Sequence, residues 1–196
     1  GVTTLSSAYQ VANNIPNMIY ELVAGGVISS LFIPIFLEQR AKHGDEDAWK
    51  YASYLFNITT IALALVAVLG TVFAEQFVAT QTFRSESGTA EVELAVFFFR
   101  FFAVQVVFYG AGAVISGLLN SQRKFLWPAI GPVFNNLVVI VTLLGFYVPF
   151  RSSDPELAKV GLAVGTSLGV LAMFAVQIPS LIKLGVRYTP RIDFQH

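Results

Sequence analysis

Asn13–Phe36, NNIPNMIYELVAGGVISSLFIPIF, is apolar and long enough to cross a bilayer, yet it carries an acid, Glu21, among its apolar residues. A charge at membrane depth costs about 3 kcal/mol or more, so it normally faces a wet cavity or a partner. Gln10, Asn14, Asn17 and Glu21 recur at spacings of four, three and four, which is one face of a helix. A polar stripe on an otherwise lipid-compatible helix points to a pathway or binding surface inside a membrane bundle.

The rest of the chain agrees with that reading. Of 196 residues, 55% are hydrophobic and 12% charged, against roughly 25% charged in an ordinary soluble domain. So few charges cannot cover so much apolar surface in water. Five stretches, at about 11–37, 52–74, 94–119, 126–149 and 160–182, each reach the roughly 20 apolar residues that a spanning helix needs. The expectation is an all-α, polytopic membrane bundle of five transmembrane helices, forming a single transmembrane unit over 1–196. The apolar runs are continuous rather than alternating, which excludes a β-barrel. The chain has no cysteine and therefore no disulfide framework or thiolate metal site. A net charge of zero argues against a nucleic-acid partner. The opening GVTTLSSAYQ has no initiator Met and no leader pattern, so the chain reads as a piece of a longer protein that has lost a preceding span.

Basic residues set the expected orientation. Arg40, Lys42, Lys50, Arg123, Lys124, Lys183, Arg187 and Arg191 fall between alternate spans on one side, whereas Arg84, Arg151 and Lys159 fall on the other. The positive-inside rule places the larger group in the cytoplasm, with the N-terminal end outside and the C-terminal end inside. Gly44 is expected to turn the chain between the first two spans, ahead of Asp45, Glu46 and Asp47 in the next helix's first turn, where anions suit the dipole. Trp127 is placed as an interfacial anchor, and Asp154–Pro155 as a helix start. The Ser-, Thr- and Glu-rich segment 80–93 is expected to hold the most mobile part of the chain, on the outside.

Two ionisable acid or base side chains lie well inside the spans, Glu21 and Arg100, at depths about one helical turn apart. They either pair across the bundle or face water separately. Arg100 has a further option, snorkelling toward nearby carbonyls or Glu93. Glu21 has a structural alternative in a hydrogen bond to a neighbouring helix, with cavity lining favoured. Gln105, Asn135 and Asn136 read first as amide ties between helices. Pro16, Pro34, Pro132 and Pro179 interrupt helix bonding, while Gly25–Gly26, Gly110, Gly112 and Gly117 permit close helix approach. His43 and His196 lie outside the spans with no metal spacing, and no phosphate loop or nucleophile elbow occurs. No catalytic residue, metal site or cofactor is expected. A polar-lined bundle without catalytic groups reads as a transporter.

Three strings carry a resemblance. The first is the opening stretch, on Ile15, Pro16, Asn17, Gly26, Ser29, Phe32, Ile33 and Pro34. The second is GAVISGLLNSQRKFLWPAIGPVFNN, on Gly117, Leu119, Asn120, Lys124, Phe125, Pro128, Ala129, Pro132 and Asn135. The third is VQIPSLIKLGVRYTPRIDF, on Gln177, Pro179, Leu181, Lys183, Gly185, Pro190, Arg191 and Phe194. In this order they resemble the MviN/MurJ family of lipid II flippases, within the multidrug/oligosaccharidyl-lipid/polysaccharide exporter superfamily. The resemblance implies a larger two-lobed bundle of about fourteen helices, of which this chain is helices two to six. It implies alternating access in the bacterial cytoplasmic membrane, moving an undecaprenyl-pyrophosphate-linked peptidoglycan precursor, lipid II, from the inner to the outer leaflet. Lipid II, membrane lipids and other cell-wall synthesis proteins are the implied partners.

The family's paired arginines fall on Tyr20 and Glu21, and its glutamate falls on Gly25. The substrate-cavity candidates are therefore Asn14, Asn17, Tyr20, Glu21, Gly25 and Arg100. Two other readings stand beside flipping of lipid II. One is an exporter of another polyprenyl-linked glycan or a small molecule; the other is a non-transporting scaffold of the cell-wall synthesis complex.

Overall fold

The computed structural model describes residues 2–82, 89–186 and 188–190. Arg84 and the rest of 83–88, with Arg187, Arg191, Phe194 and His196, lie outside the described residues, so expectations resting on them are not addressed by the fold. Every regular element among the described residues is helical. The first rod joins α1 (Val2–Glu21), a π-helical segment π1 (Leu22–Phe32) and α2 (Ile33–His43). Gly44, at φ 88°, turns the chain into α3 (Asp45–Val72), whose first turn holds Asp45, Glu46 and Asp47. A short α4 (Ala74–Thr82) precedes α5 (Thr89–Phe102) and α6 (Gln105–Ser121). Next come α7 (Leu126–Thr142), π2 (Leu143–Tyr147) and α8 (Val148–Phe150), then α9 (Pro155–Ala175) and α10 (Ile178–Lys183). Asp154 caps α9 by accepting the Leu157 N–H at 3.0 Å, with Pro155 at the first helical position.

Among the described residues, four helices are long and apolar enough to cross a membrane, and five if α5 and α6 count as one broken span. They alternate in direction. The basic end of the bundle carries Arg40, Lys42, Lys50, Arg123, Lys124 and Lys183; the opposite end carries Glu75, Glu93, Arg151 and Glu156.

The helical irregularities have local causes. Each π segment ends two residues before a proline, Pro34 or Pro149. Proline cannot donate to the carbonyl four residues back and its ring crowds that carbonyl. The residue before it closes a wider turn instead, Ile33 N–H to the Ile28 carbonyl and Val148 N–H to the Leu143 carbonyl. The stretch expected as a single span at 94–119 is bent by 43° between α5 and α6, with no proline or glycine at the break. The cause comes from another helix. Ser167 of α9 lies with its Oγ 3.2 Å from the Phe101 carbonyl and receives the Gln105 Nε2 donor at 3.1 Å. A side chain inserted at Phe101 occupies the carbonyl that a continuous helix would offer to Gln105 N–H, which is a recognised origin of kinks.

Two large apolar clusters hold the bundle, with a small third one of Tyr109, Val170 and Met173 between α6 and α9. Toward the opposite end, Ala8 and Ala12 of α1 pack against Phe98 and Phe102 of α5, joined by Val78 and Leu162. Toward the basic end, Ile28, Phe32 and Phe36 meet Ala52 and Leu63 of α3 and Val114 and Leu118 of α6. The seam between α7 and α9 has a different basis. Gly161, Gly165 and Gly169 recur every four residues, and a Cβ on them would lie 2.1 Å from Phe146, 2.1 Å from Thr142 and 2.4 Å from Asn135 Oδ1. Small residues at this period let two membrane helices touch along their backbones, where hydrocarbon supplies no hydrophobic drive between helices. Gly110 and Gly117 play the same part against Leu63 and Ile28. Gly25 and Gly26 face open space among the described residues.

Candidate functional site

The polar stripe stands on the exposed side of α1. Ala8, Ala12 and Pro16 form its buried line against the bundle. Gln10, Asn14 and Glu21 are exposed and Asn17 is half-buried, about 140–200° around the helix from the centre of that line at roughly 100° per residue. Glu21 has no ion-pair or hydrogen-bond partner among the described residues, and Gly25 continues the exposed side one turn further. Met18 and Leu22 flank the stripe in the open, so the face is mixed rather than wholly polar.

Arg100 sits elsewhere. It lies on α5 opposite Phe98 and Phe102, the residues that meet α1, and its guanidinium reaches Glu75 of α4 at 3.5 Å. Both partners are more than half exposed, and they share a groove with Glu93, Val96 and Phe101. The α1–α5 interface thus separates Glu21 from Arg100. Of the pairings considered for Arg100, neither Glu21 nor Glu93 is taken; the carboxylate is Glu75.

Tyr20 turns inward. Its ring lies 5.0 Å from that of Tyr109, and it lines a cavity of about 370 Å³ between π1, α6 and the start of α7. Ser116 and Asn120 supply the other polar groups of that wall, with Gly117, Phe125 and Pro128 among the rest. Ser116 Oγ donates to Gln177 Oε1 at 2.7 Å, and Gln177 Nε2 donates to the Met173 carbonyl at 3.2 Å. Gln177 is buried at the break between α9 and α10, so this chain of bonds ties the cavity wall to a helix interruption. Of the six candidates, Tyr20 lines this cavity, Asn14, Asn17, Glu21 and Gly25 stand outside it on the open side of the same rod, and Arg100 belongs to neither. Ser116 was not singled out from the sequence, and Asn120 entered only within the second string; their convergence with Tyr20 depends on contacts nearly a hundred residues apart.

Of the three amides expected to tie helices, one does so: Gln105, wholly buried, joins α6 to α9 through Ser167. Asn135 packs against Gly169 with its Oδ1 buried and without a hydrogen-bond partner among the described residues, and Asn136 is exposed. At the opposite end Tyr9 and Thr166 hydroxyls meet at 3.1 Å, linking α1 to α9. At the basic end Arg40 bridges Asp45 and Gln122, so the first connection is held to the third.

Comparison with known proteins adds a separate line. The family model described as "Lipid II flippase MurJ" matches residues 1–196. The chain is 28% identical over 184 residues to "Lipid II flippase MurJ" of Burkholderia cenocepacia, covering 94% of this chain and 35% of that protein. It is 30% identical over 199 residues to "Probable lipid II flippase MurJ" of Vibrio cholerae, covering 97% and 37%. A solved structure, "Lipid II flippase MurJ, inward closed conformation", superposes with a TM-score of 0.75 at 24% identity, over 96% of this chain and 38% of that one. The chain spans little more than a third of the length of the relatives it matches.

Proposed function

Because the chain belongs to the MurJ family of lipid II flippases, we propose that it forms helices two to six of a transporter that carries lipid II across the cytoplasmic membrane by alternating access. The family match over residues 1–196 carries this reading. Members are multi-pass membrane transporters rather than enzymes, and the helical bundle agrees with that class. The physical task is to move a head group of sugars and pyrophosphate through hydrocarbon, which strands its polar groups unless the protein replaces water. A helix with Asn14, Asn17 and Glu21 on an exposed face, next to a cavity lined by Tyr20, Ser116 and Asn120, supplies such groups. We assign Asn14, Asn17, Tyr20, Glu21 and Gly25 to the substrate-facing wall; Arg100, held by Glu75 beyond α5, is left out. The basic end is placed in the cytoplasm by the positive-inside rule. Lipid II is the proposed substrate, and membrane lipids and other cell-wall synthesis proteins are the proposed partners.

A second reading is favoured by one observation. Tyr20 and Glu21 stand where the family motif carries arginines, and an anion beside a pyrophosphate raises its cost. That fits an exporter of a polyprenyl-linked glycan with less phosphate charge. Full-length protein in proteoliposomes, supplied in turn with lipid II and with another polyprenyl-linked oligosaccharide, separates the two. Selective movement of lipid II supports the first reading; selective movement of the other glycan establishes the second.

A further inference from the structure

Nine Lys and Arg side chains lie among the described residues. Five are ion-paired: Arg40, Lys42, Lys50, Arg100 and Lys159. Arg123, Lys124, Lys183 and Arg151 have no carboxylate within reach among the described residues. Three of those four converge. Arg123, Lys124 and Lys183 line one pocket of about 570 Å³ at the basic end, together with Trp127 and Ser180, and no acid among the described residues lines it. Arg151 lines a different pocket at the opposite end, where Glu93 and Glu156 share the wall. Like charges gathered without a counter-charge repel one another, so a pocket of this kind is built for an anion.

The backbone gives an independent sign. Lys124 N–H bonds to the Leu119 carbonyl at 2.8 Å and Arg123 N–H to the Asn120 carbonyl at 3.0 Å. This is the paired bonding that closes a helix with a left-handed residue, a position usually held by glycine. Here Arg123 holds it, at φ 60°, the one non-glycine residue with positive φ among the described residues. A side chain kept at a position that glycine would occupy with less strain marks a constraint other than folding. The first turn of α7 also begins at this pocket, and Phe125 at its N-cap makes no side-chain cap bond. Its free amides add partial positive charge.

We propose that this pocket binds the phosphate of an anionic glycerophospholipid head group at the basic face of the membrane. The chemistry is charge-assisted hydrogen bonding from Arg123, Lys124 and Lys183 to phosphate oxygens. The source is a lipid rather than free phosphate because of what rims the pocket. Leu126, 64% exposed, and Trp127 stand at the first turn of a spanning helix, where aromatic and apolar groups meet the hydrocarbon boundary. Basic pockets between membrane helices on the cytoplasmic side are known to take phospholipid head groups, and the volume suits a small organic ligand. The proposal rests on the membrane placement of the chain and not on which glycan it carries.

The test uses the full-length protein and dihexanoyl phosphatidylglycerol, with dihexanoyl phosphatidylcholine and inorganic phosphate as controls. Phosphatidylglycerol is expected to bind in preference to both. Arg123→Gln and Lys183→Gln are each expected to weaken it about tenfold, the loss of one charge-assisted bond. Arg123→Gly is the decisive variant: it removes the same cation while relieving the left-handed strain, so binding falls as in Arg123→Gln with a melting temperature that does not fall. Unchanged phosphatidylglycerol binding in folded Arg123→Gly and Lys183→Gln overturns the proposal. Equal binding of phosphatidylcholine overturns it too, as does inorganic phosphate binding as tightly as the lipid.

Discussion

Glu21 is the residue on which the account turns, because it is a charge on an apolar rod with no counter-charge among the described residues. Its neighbours in sequence divide the labour by angle. Tyr20 lines the cavity and packs against the ring of Tyr109, whereas Glu21 faces outward beside Leu22. Arg100 was the natural partner on grounds of depth, yet it sits behind the α1–α5 interface with Glu75. That separation gives a quantitative expectation. Glu21→Gln in the full-length protein changes the transport rate while leaving folded yield and melting temperature intact. Glu21→Gln and Arg100→Gln are independent in stability, with a coupling below about 0.5 kcal/mol, as for residues that share no partner. A double-mutant cycle on thermal unfolding checks it, and a coupling well above that figure contradicts the placement of the two residues. The Arg100–Glu75 pair is itself exposed, and pairs of that kind are worth about 0–1 kcal/mol.

At the scale of elements, two features with similar sequence signatures do different things. Gly25–Gly26 reads as a close-approach site, whereas Gly161, Gly165 and Gly169 were not singled out from the sequence. The second set carries the α7–α9 seam, and the first faces open space. Gly165→Leu forces bulk against Thr142 and is expected to destabilise by about 1–3 kcal/mol, the usual cost of overpacking. Gly25→Ala is expected to leave stability unchanged or slightly improved. Melting temperatures of the two purified variants compare them directly. The spacing of four places the second set on one face of a helix, but what that face meets emerged only from the packing. The bend between α5 and α6 was not legible in the sequence either. Neither Ala103 nor Val104 breaks a helix, and the cause is Ser167, more than sixty residues away. Hydropathy located the apolar stretches because a bilayer imposes a length on each one, but it is blind to a hydroxyl arriving from another helix. The same limit applies at the site. The α1 stripe follows from periodicity, while the meeting of Tyr20 with Ser116 and Asn120 depends on tertiary packing.

For the molecule as a whole, charge distribution and helix alternation make one end basic. In the full-length protein this end is expected to face the cytoplasm, the side favoured by basic loops. The segment holds no cysteine, so single cysteines are informative probes once any native cysteine elsewhere in the full-length protein has been replaced. Ser121→Cys is expected to resist a membrane-impermeant thiol reagent in intact cells, and Ser152→Cys to react; the reverse pattern inverts the orientation. The apolar clusters and the α7–α9 seam hold the helices as a unit, and alternating access is proposed to rock such a unit against the remaining helices. The most direct measurement of the central claim is made in cells depleted of their own lipid II flippase and supplied with the full-length gene. Lipid II exposed on the outer leaflet is read by an externally added lipid II-cleaving enzyme. The account predicts that cleavable lipid II returns to the level of undepleted cells. Lipid II that stays protected, although the protein is present in the membrane at normal amounts, contradicts it.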